Sequence, residues 1–182
     1  MSEENKALVD RPTQAFNDGN LDAFVGHIEG ESIRLWLNNG CTVFYDSEQD
    51  IEVDARQVAE ESASFGLGFG LGWTETSYEG YQFRIDPNTQ QYLLEKRDMD
   101  GTWTTLLDWT FSSAIQQGTA SNHLRVVREG EDLSMYANGT QVATYYERSF
   151  LGSGRDAGVR VYSQDAAPVD VRFDNFHVSC VP

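Results

Sequence analysis

From Glu31 to the C-terminus, apolar and polar residues alternate along the chain with period two, the pattern of strands that bury one face. The clearest run sets Phe65, Leu67, Phe69, Leu71 and Trp73 against Gly66, Gly68, Gly70 and Gly72. One face of that strand is wholly apolar and the other is bare, which predicts a central strand with Trp73 in the core. Further alternating runs are Ile51-Val53-Ala55, Tyr81-Phe83-Ile85, Trp103-Thr105-Leu107-Trp109, Leu124-Val126, Leu133-Met135-Ala137, Val142-Thr144-Tyr146, Val159-Val161 and Val169-Val171-Phe173. About ten short strands of this kind predict two antiparallel sheets packed face to face.

The connections agree with antiparallel neighbours. Asn138-Gly139 between two alternating runs is a type I′ hairpin signal. Asp86-Pro87-Asn88-Thr89, Met99-Asp100-Gly101 and Glu129-Gly130-Glu131-Asp132 supply further turns. The polar stretch from Phe111 to Asn122 is the one long connection and predicts a crossover between sheets. The first residues differ in character. Helix formers, a cap at Asn20 ahead of Leu21 to Ile28, and a break at Pro12 predict two short helices. The expected organisation is a helical extension over 1–30 and a β-sandwich over 31–182, which should still fold cooperatively without Met1 to Gly30.

Charge narrows the partners. The chain has 182 residues with 29 acidic and 13 basic side chains, a formal net charge of -16. That field repels phosphate backbones and anionic lipid head groups, so nucleic acid is not an expected partner. No apolar run reaches the roughly 18 residues a membrane helix requires, so no membrane insertion is expected. Met1 to Asn5 lacks the basic and apolar character of a secretory signal. Cys41 and Cys180 are the only cysteines, and they form a disulfide if the first and last strands are neighbours in an oxidising compartment; two separate thiols are the equal alternative.

The stretches Ile51-Glu-Val-Asp-Ala-Arg56, Gly80-Tyr-Gln-Phe-Arg-Ile85, Gly101-Thr-Trp-Thr-Thr-Leu-Leu-Asp-Trp109 and Asn122-His-Leu-Arg-Val-Val-Arg-Glu-Gly130 carry a family likeness. They continue into Leu133-Ser-Met-Tyr-Ala-Asn-Gly-Thr-Gln-Val-Ala143 and close on Val171-Arg-Phe-Asp-Asn-Phe-His-Val178. From Asp50 to Val178 the chain resembles a concanavalin A-like, laminin-G-like jelly roll. The resemblance implies an all-β, two-sheet antiparallel sandwich, and it favours an extracellular or cell-surface setting. Proteins of this fold bind glycans, cleave them or act as spacers, so the likeness implies a link to carbohydrate without choosing among these. Glu4 to Val9 and Ala15 to Phe24 resemble the opening helices of SnoaL-like polyketide cyclases, but the sheet of that fold does not follow and no cyclase activity is implied.

Candidate chemistry lies on the polar sides of the strands. Glu52, Asp54 and Arg56 share the face of their strand opposite Ile51, Val53 and Ala55. Gln82, Arg84 and Asp86, then Glu95 and Arg97, then Asp170, Arg172 and Asp174 repeat the pattern on other strands. If these strands share a sheet, they form a charged floor whose Arg forks and carboxylates suit sugar hydroxyls. Solvated surface ion pairs, each worth little, are the competing explanation. Tyr78, beside Glu79-Gly80 in an expected loop, is the aromatic candidate for stacking on a sugar ring.

Three functions follow as expectations. The favoured one is a non-catalytic module binding a saccharide or other surface ligand through Glu52, Asp54, Arg56, Tyr78, Arg84, Glu95 and Arg172. The second is a glycoside hydrolase or lyase using Glu52 and Asp54, which face the same way with the about 5 Å spacing a retaining mechanism requires. The laminarinase-type motif that this pair resembles needs a further acid, and Arg56, Gln57 and Val58 provide none. Residues 122–178 also resemble the closing strands of the 3-keto-glycoside hydrolase type, without its site motif. The third is a structural interaction domain with no small ligand. His27, His123 and His177 are scattered, no Cys-x-x-Cys or His-x-x-x-His occurs, and no catalytic triad or thiolate metal site is expected. No cofactor is implied; Ca2+ on Asp156, Asp165, Asp170 and Asp174 is an option without a motif, since these are also ordinary turn residues.

Overall fold

The computed structural model describes residues 26–28, 34–37, 48–59, 63–73, 77–148, 156–163 and 169–179. Twelve strands run β1 (Gly26–Ile28), β2 (Arg34–Leu37), β3 (Glu48–Gln57), β4 (Ala63–Trp73), β5 (Tyr78–Asp86), β6 (Gln91–Arg97) and β7 (Trp103–Phe111), then β8 (Asn122–Glu129), β9 (Asp132–Ala137), β10 (Thr140–Tyr146), β11 (Asp156–Ser163) and β12 (Val169–Ser179). They form two antiparallel six-stranded sheets, ordered β1-β12-β3-β8-β9-β10 and β2-β11-β4-β5-β6-β7, here called sheets A and B. Among the described residues there is no helix. The expected helix over Leu21–Ile28 ends instead in strand β1, which pairs Gly26–Ile28 with Val169–Val171 of β12. The remaining helical expectation, and Cys41 and Cys180, lie outside the described residues.

The alternating apolar positions supply the interior. Ile51, Val53 and Ala55 of β3, Leu124 and Val126 of β8, and Leu133, Met135 and Ala137 of β9 face inward from sheet A. Phe65, Leu67 and Phe69 of β4 and Tyr81, Phe83 and Ile85 of β5 meet them from sheet B. The two layers lock where Phe65 meets Phe173 edge-on at a centroid distance of 6.3 Å, an arrangement that adds to the burial of both rings. The glycine run has a physical reason. A Cβ at Gly66 would lie against the Phe83 carbonyl oxygen and 2.9 Å from Arg84 Cα, so β4 passes too close to β5 for any side chain there.

Bulges break the inward patterns on β7 and β10, and the register of β4 against β5 also shifts, between Phe69 and Gly72, so that Trp73 pairs with Tyr78. On β7 the register against β6 shifts around Leu94, so Leu107 opposes Leu94 whereas Trp103 opposes Arg97. Trp103 is thus on the outer face, 39% exposed, and not on one inward row with Leu107. On β10 a shift between Gln141 and Ala143 turns the chain by one residue. Ala143 and Tyr145 then pack on the core with Val142, and Tyr146 is 54% exposed. A one-residue insertion exchanges the two faces of a strand, and β7 and β10 are both sheet edges, where bulges concentrate.

Candidate functional site

The polar residues singled out by the alternation divide between two outward faces on opposite sides of the sandwich. Glu52, Asp54 and Arg56 on β3 and Arg172 on β12 belong to sheet A. Tyr78 and Arg84 on β5 and Glu95 on β6 belong to sheet B. The expected single charged floor therefore does not exist, because β3 and β12 never pair with β5 or β6. Period-two alternation tells which side of its own strand a residue occupies and carries no information about which sheet holds the strand.

On sheet A the pairing of β12, β3 and β8 gathers the scattered histidines. His123 lies directly across from Asp54, and His177 across from Glu52. His123 Nδ1 is 2.9 Å from Asp54 Oδ1, and its Nε2 is 3.5 Å from Glu52 Oε2. His177 Nδ1 stands 3.8 Å from the other Glu52 oxygen. Asn175, at a positive φ of 52° beside the bulge in β12, donates from Nδ2 to Asp54 Oδ2 at 2.7 Å. Arg125 grips Asp50 with two bonds of 2.7 and 2.5 Å, and these hold the guanidinium protonated beyond its ordinary range. Arg56 and Arg172 oppose each other across β3 and β12, both exposed, with Asp170 3.8 Å from Arg172. Like charges facing across strands contribute no pairing energy, so these two belong to the solvated surface.

Sheet B carries a different chemistry. The outward side of β5 presents Tyr78, Gln82, Arg84 and Asp86. At one end, Arg97 and Arg160 close over Tyr78, at 3.9 and 5.6 Å from its ring, and Trp103 lies 5.1 Å from Arg160. Tyr78, expected in a loop with a free ring, is instead the first residue of β5 and only 4% exposed. Arg97 bonds the Tyr78 carbonyl as well as covering the ring, which explains that burial. At the other end the face opens into a groove of about 470 Å³ lined by Ser64, Arg84, Asp86, Gln91, Trp109 and Tyr162, among others. The Arg84 guanidinium lies 4.0 Å from the Tyr162 ring and 5.7 Å from that of Trp109.

Hydrogen bonds fix the groove floor. Arg84 donates to Ser64 Oγ at 3.0 Å and to Glu95 Oε2 at 2.8 Å. Gln82 donates to the same Glu95 oxygen at 2.5 Å and accepts from the Tyr162 hydroxyl at 3.1 Å. Burial pushes the Tyr162 phenol above its ordinary range, against the pull of Arg160 and Arg84. Asp86 closes an Asx turn, its Oδ1 accepting from the Asn88 and Thr89 backbone N–H groups at 2.9 and 3.4 Å. A cleft with ring walls and a few fixed polar groups is the form small-ligand sites take.

Neither Trp109 nor Tyr162 was singled out by the sequence pattern. Tyr162 had a signal, since Val159 and Val161 point inward and put Arg160 and Tyr162 outward. Trp109 was hidden by the bulge in β7. Of the aspartates offered for Ca2+, Asp170 and Asp174 lie within β12, Asp156 begins β11 and Asp165 is outside the described residues. Among the described residues, no group of three or more His, Cys, Asp or Glu side chains is arranged to hold a metal ion.

Comparison of the whole fold places this framework. Carbohydrate-binding module CBM66 from Bacillus subtilis superposes with a TM-score of 0.61 at 12% identity, over 85% of this chain and 94% of that one. Caenorhabditis elegans galectin LEC-6 gives 0.53 at 15% identity, over 85% and 95%. Alginate lyase A1-II′ gives 0.58 at 11% identity, over 89% and 82%. The fold is a concanavalin A-like jelly roll. At these identities the likeness establishes the fold and nothing finer. No protein-family model matches this jelly roll's sequence. No curated protein matches it either.

Proposed function

We propose that this chain is a carbohydrate-binding jelly-roll module whose ligand occupies the groove on the outer face of sheet B. The observation that carries the proposal is the Arg84 guanidinium between the rings of Tyr162 and Trp109, on a floor shared with Ser64, Asp86 and Gln91. A pyranose has apolar faces that stack on aromatic rings and a rim of hydroxyls that donate and accept, so it matches both parts of such a cleft. The carbohydrate-binding module and galectin among its structural neighbours support the same reading. Of the residues expected from sequence, Arg84 lines this groove, Glu95 bonds Arg84, and Tyr78 lies at the opposite end of the same face.

Glycan-array binding tests it. The wild-type chain should bind at least one saccharide class, and Trp109→Ala should weaken that binding by roughly tenfold or more, the loss of a stacked ring and its fixed partner. Silence on every glycan would contradict the proposal and leave a structural interaction domain as the reading. A second reading, polysaccharide cleavage, draws on the alginate lyase among the neighbours and on the Glu52, Asp54 and His123 cluster. Carboxylates and imidazole are groups that transfer protons. Release of new chain ends that Glu52→Gln abolishes would establish that reading instead.

A further inference from the structure

The groove's polar groups differ in how much bonding capacity they retain. Among the described residues Arg84 is the one cation lining it, and its side chain is 10% exposed. A guanidinium carries five N–H donors. Two bonds go to Ser64 and Glu95, and Nε has no partner. Its carboxylate neighbour is shared, because the Glu95 oxygen that accepts from Arg84 also accepts from Gln82. Asp86, the one carboxylate lining the groove among the described residues, accepts two backbone N–H groups on Oδ1. Arg84 therefore keeps unbonded N–H donors, while Asp86 Oδ1 is committed to the turn.

The wider face points the same way. Arg84, Arg97 and Arg160 collect around the rings of Tyr78 and Tyr162 in a chain with only 13 Lys and Arg residues and a net charge of -16. Resting on the saccharide reading of the groove, we infer that its ligand is an acidic sugar, a chain containing uronate units whose carboxylate binds at Arg84. Charge-assisted bonds to arginine are about twice as strong as neutral ones, and a carboxylate satisfies two donors at once. A neutral sugar offers only uncharged hydroxyl acceptors to those N–H groups, which bond a guanidinium more weakly than a carboxylate does. The protein's overall negative charge disfavours polyanions as a class, so the carboxylate has to be held by the local arginines and not by the net field.

The experiment is calorimetric titration of the full chain with tetramers of galacturonate, mannuronate, guluronate and glucuronate, each beside its carboxyl-reduced neutral counterpart. At least one uronate tetramer should bind, with its neutral counterpart weaker by roughly tenfold or more. Arg84→Lys, which keeps the charge and removes the fork, should weaken the acidic ligand by about tenfold more than its neutral counterpart. Trp109→Ala, a second variant that does not remove either partner of the Arg84–Glu95 bond, should weaken both forms. Neutral tetramers binding as tightly as the acids would overturn the acidic-sugar inference and leave the saccharide site standing. If neither kind bound, nor any glycan on the array, both would fall.

Discussion

A Cβ at Gly66 would meet only backbone atoms of β5, the Phe83 carbonyl and Arg84 Cα. Backbone in a central strand pair cannot step aside cheaply, so Gly66→Ala should cost about 2–4 kcal/mol by overpacking. Urea denaturation measures this as a lowered midpoint at unchanged slope; a cost under about 0.5 kcal/mol would show that the strands can separate. Tyr162 gives a second test. Its phenol loses a proton near pH 10 in the unfolded chain and at higher pH when folded. Between those values the unfolded state has lost a proton that the folded state keeps, so stability falls as pH rises above about 10. Tyr162→Phe should flatten that fall between pH 9 and 11, measured by denaturation at each pH. An identical fall in the variant would assign it to other groups. Residue-level expectations succeeded where alternation alone decided the outcome, as for Phe65, Val126 and Phe173. They failed for Tyr78, whose burial depends on Arg97 and Trp103 from other strands.

Among the elements, the β9–β10 hairpin does more than reverse the chain. Asn138 and Gly139 have φ values of 51° and 77°, the left-handed pair that a type I′ turn requires. The Asn138 side chain donates to Ala114 O and to Asn122 Oδ1, both at 2.8 Å, and accepts from His123 N at 2.9 Å. Asn122, fully buried, clasps Gln116 from both sides of its amide. The hairpin thus anchors the long crossover from β7 to β8. Asn138→Gly keeps the turn and removes those bonds, so it should cost about 2–3 kcal/mol, with hydrogen exchange quickening over residues 112–121. Unchanged exchange there would show that the crossover is held by other contacts. The Asn-Gly turn was legible because its chemistry is local. The network was not, since Asn122 and Ala114 meet Asn138 only through folding, and the bulges in β7 and β10 have no marker in the local pattern.

At the scale of the whole molecule, alternation and turns identified two antiparallel layers and the crossover between them. Which strands share a sheet is set by long-range pairing, and no local pattern encodes it. That is why six polar residues expected on one floor, Glu52, Asp54, Arg56, Arg84, Glu95 and Arg172, divide between faces on opposite sides of the sandwich. β1 contributes only Gly26–Ile28 to the edge of sheet A, so truncation before Gly26 should preserve one cooperative unfolding transition, whereas loss of cooperativity would give the preceding residues a structural role. The two faces make the central claim separable. The decisive measurement compares glycan affinity in Trp109→Ala, on sheet B, with that in Asp54→Asn, on sheet A. The account predicts that the first loses binding by about tenfold or more and the second keeps the wild-type value. Binding that survives Trp109→Ala and disappears in Asp54→Asn would place the ligand on the opposite face and contradict it.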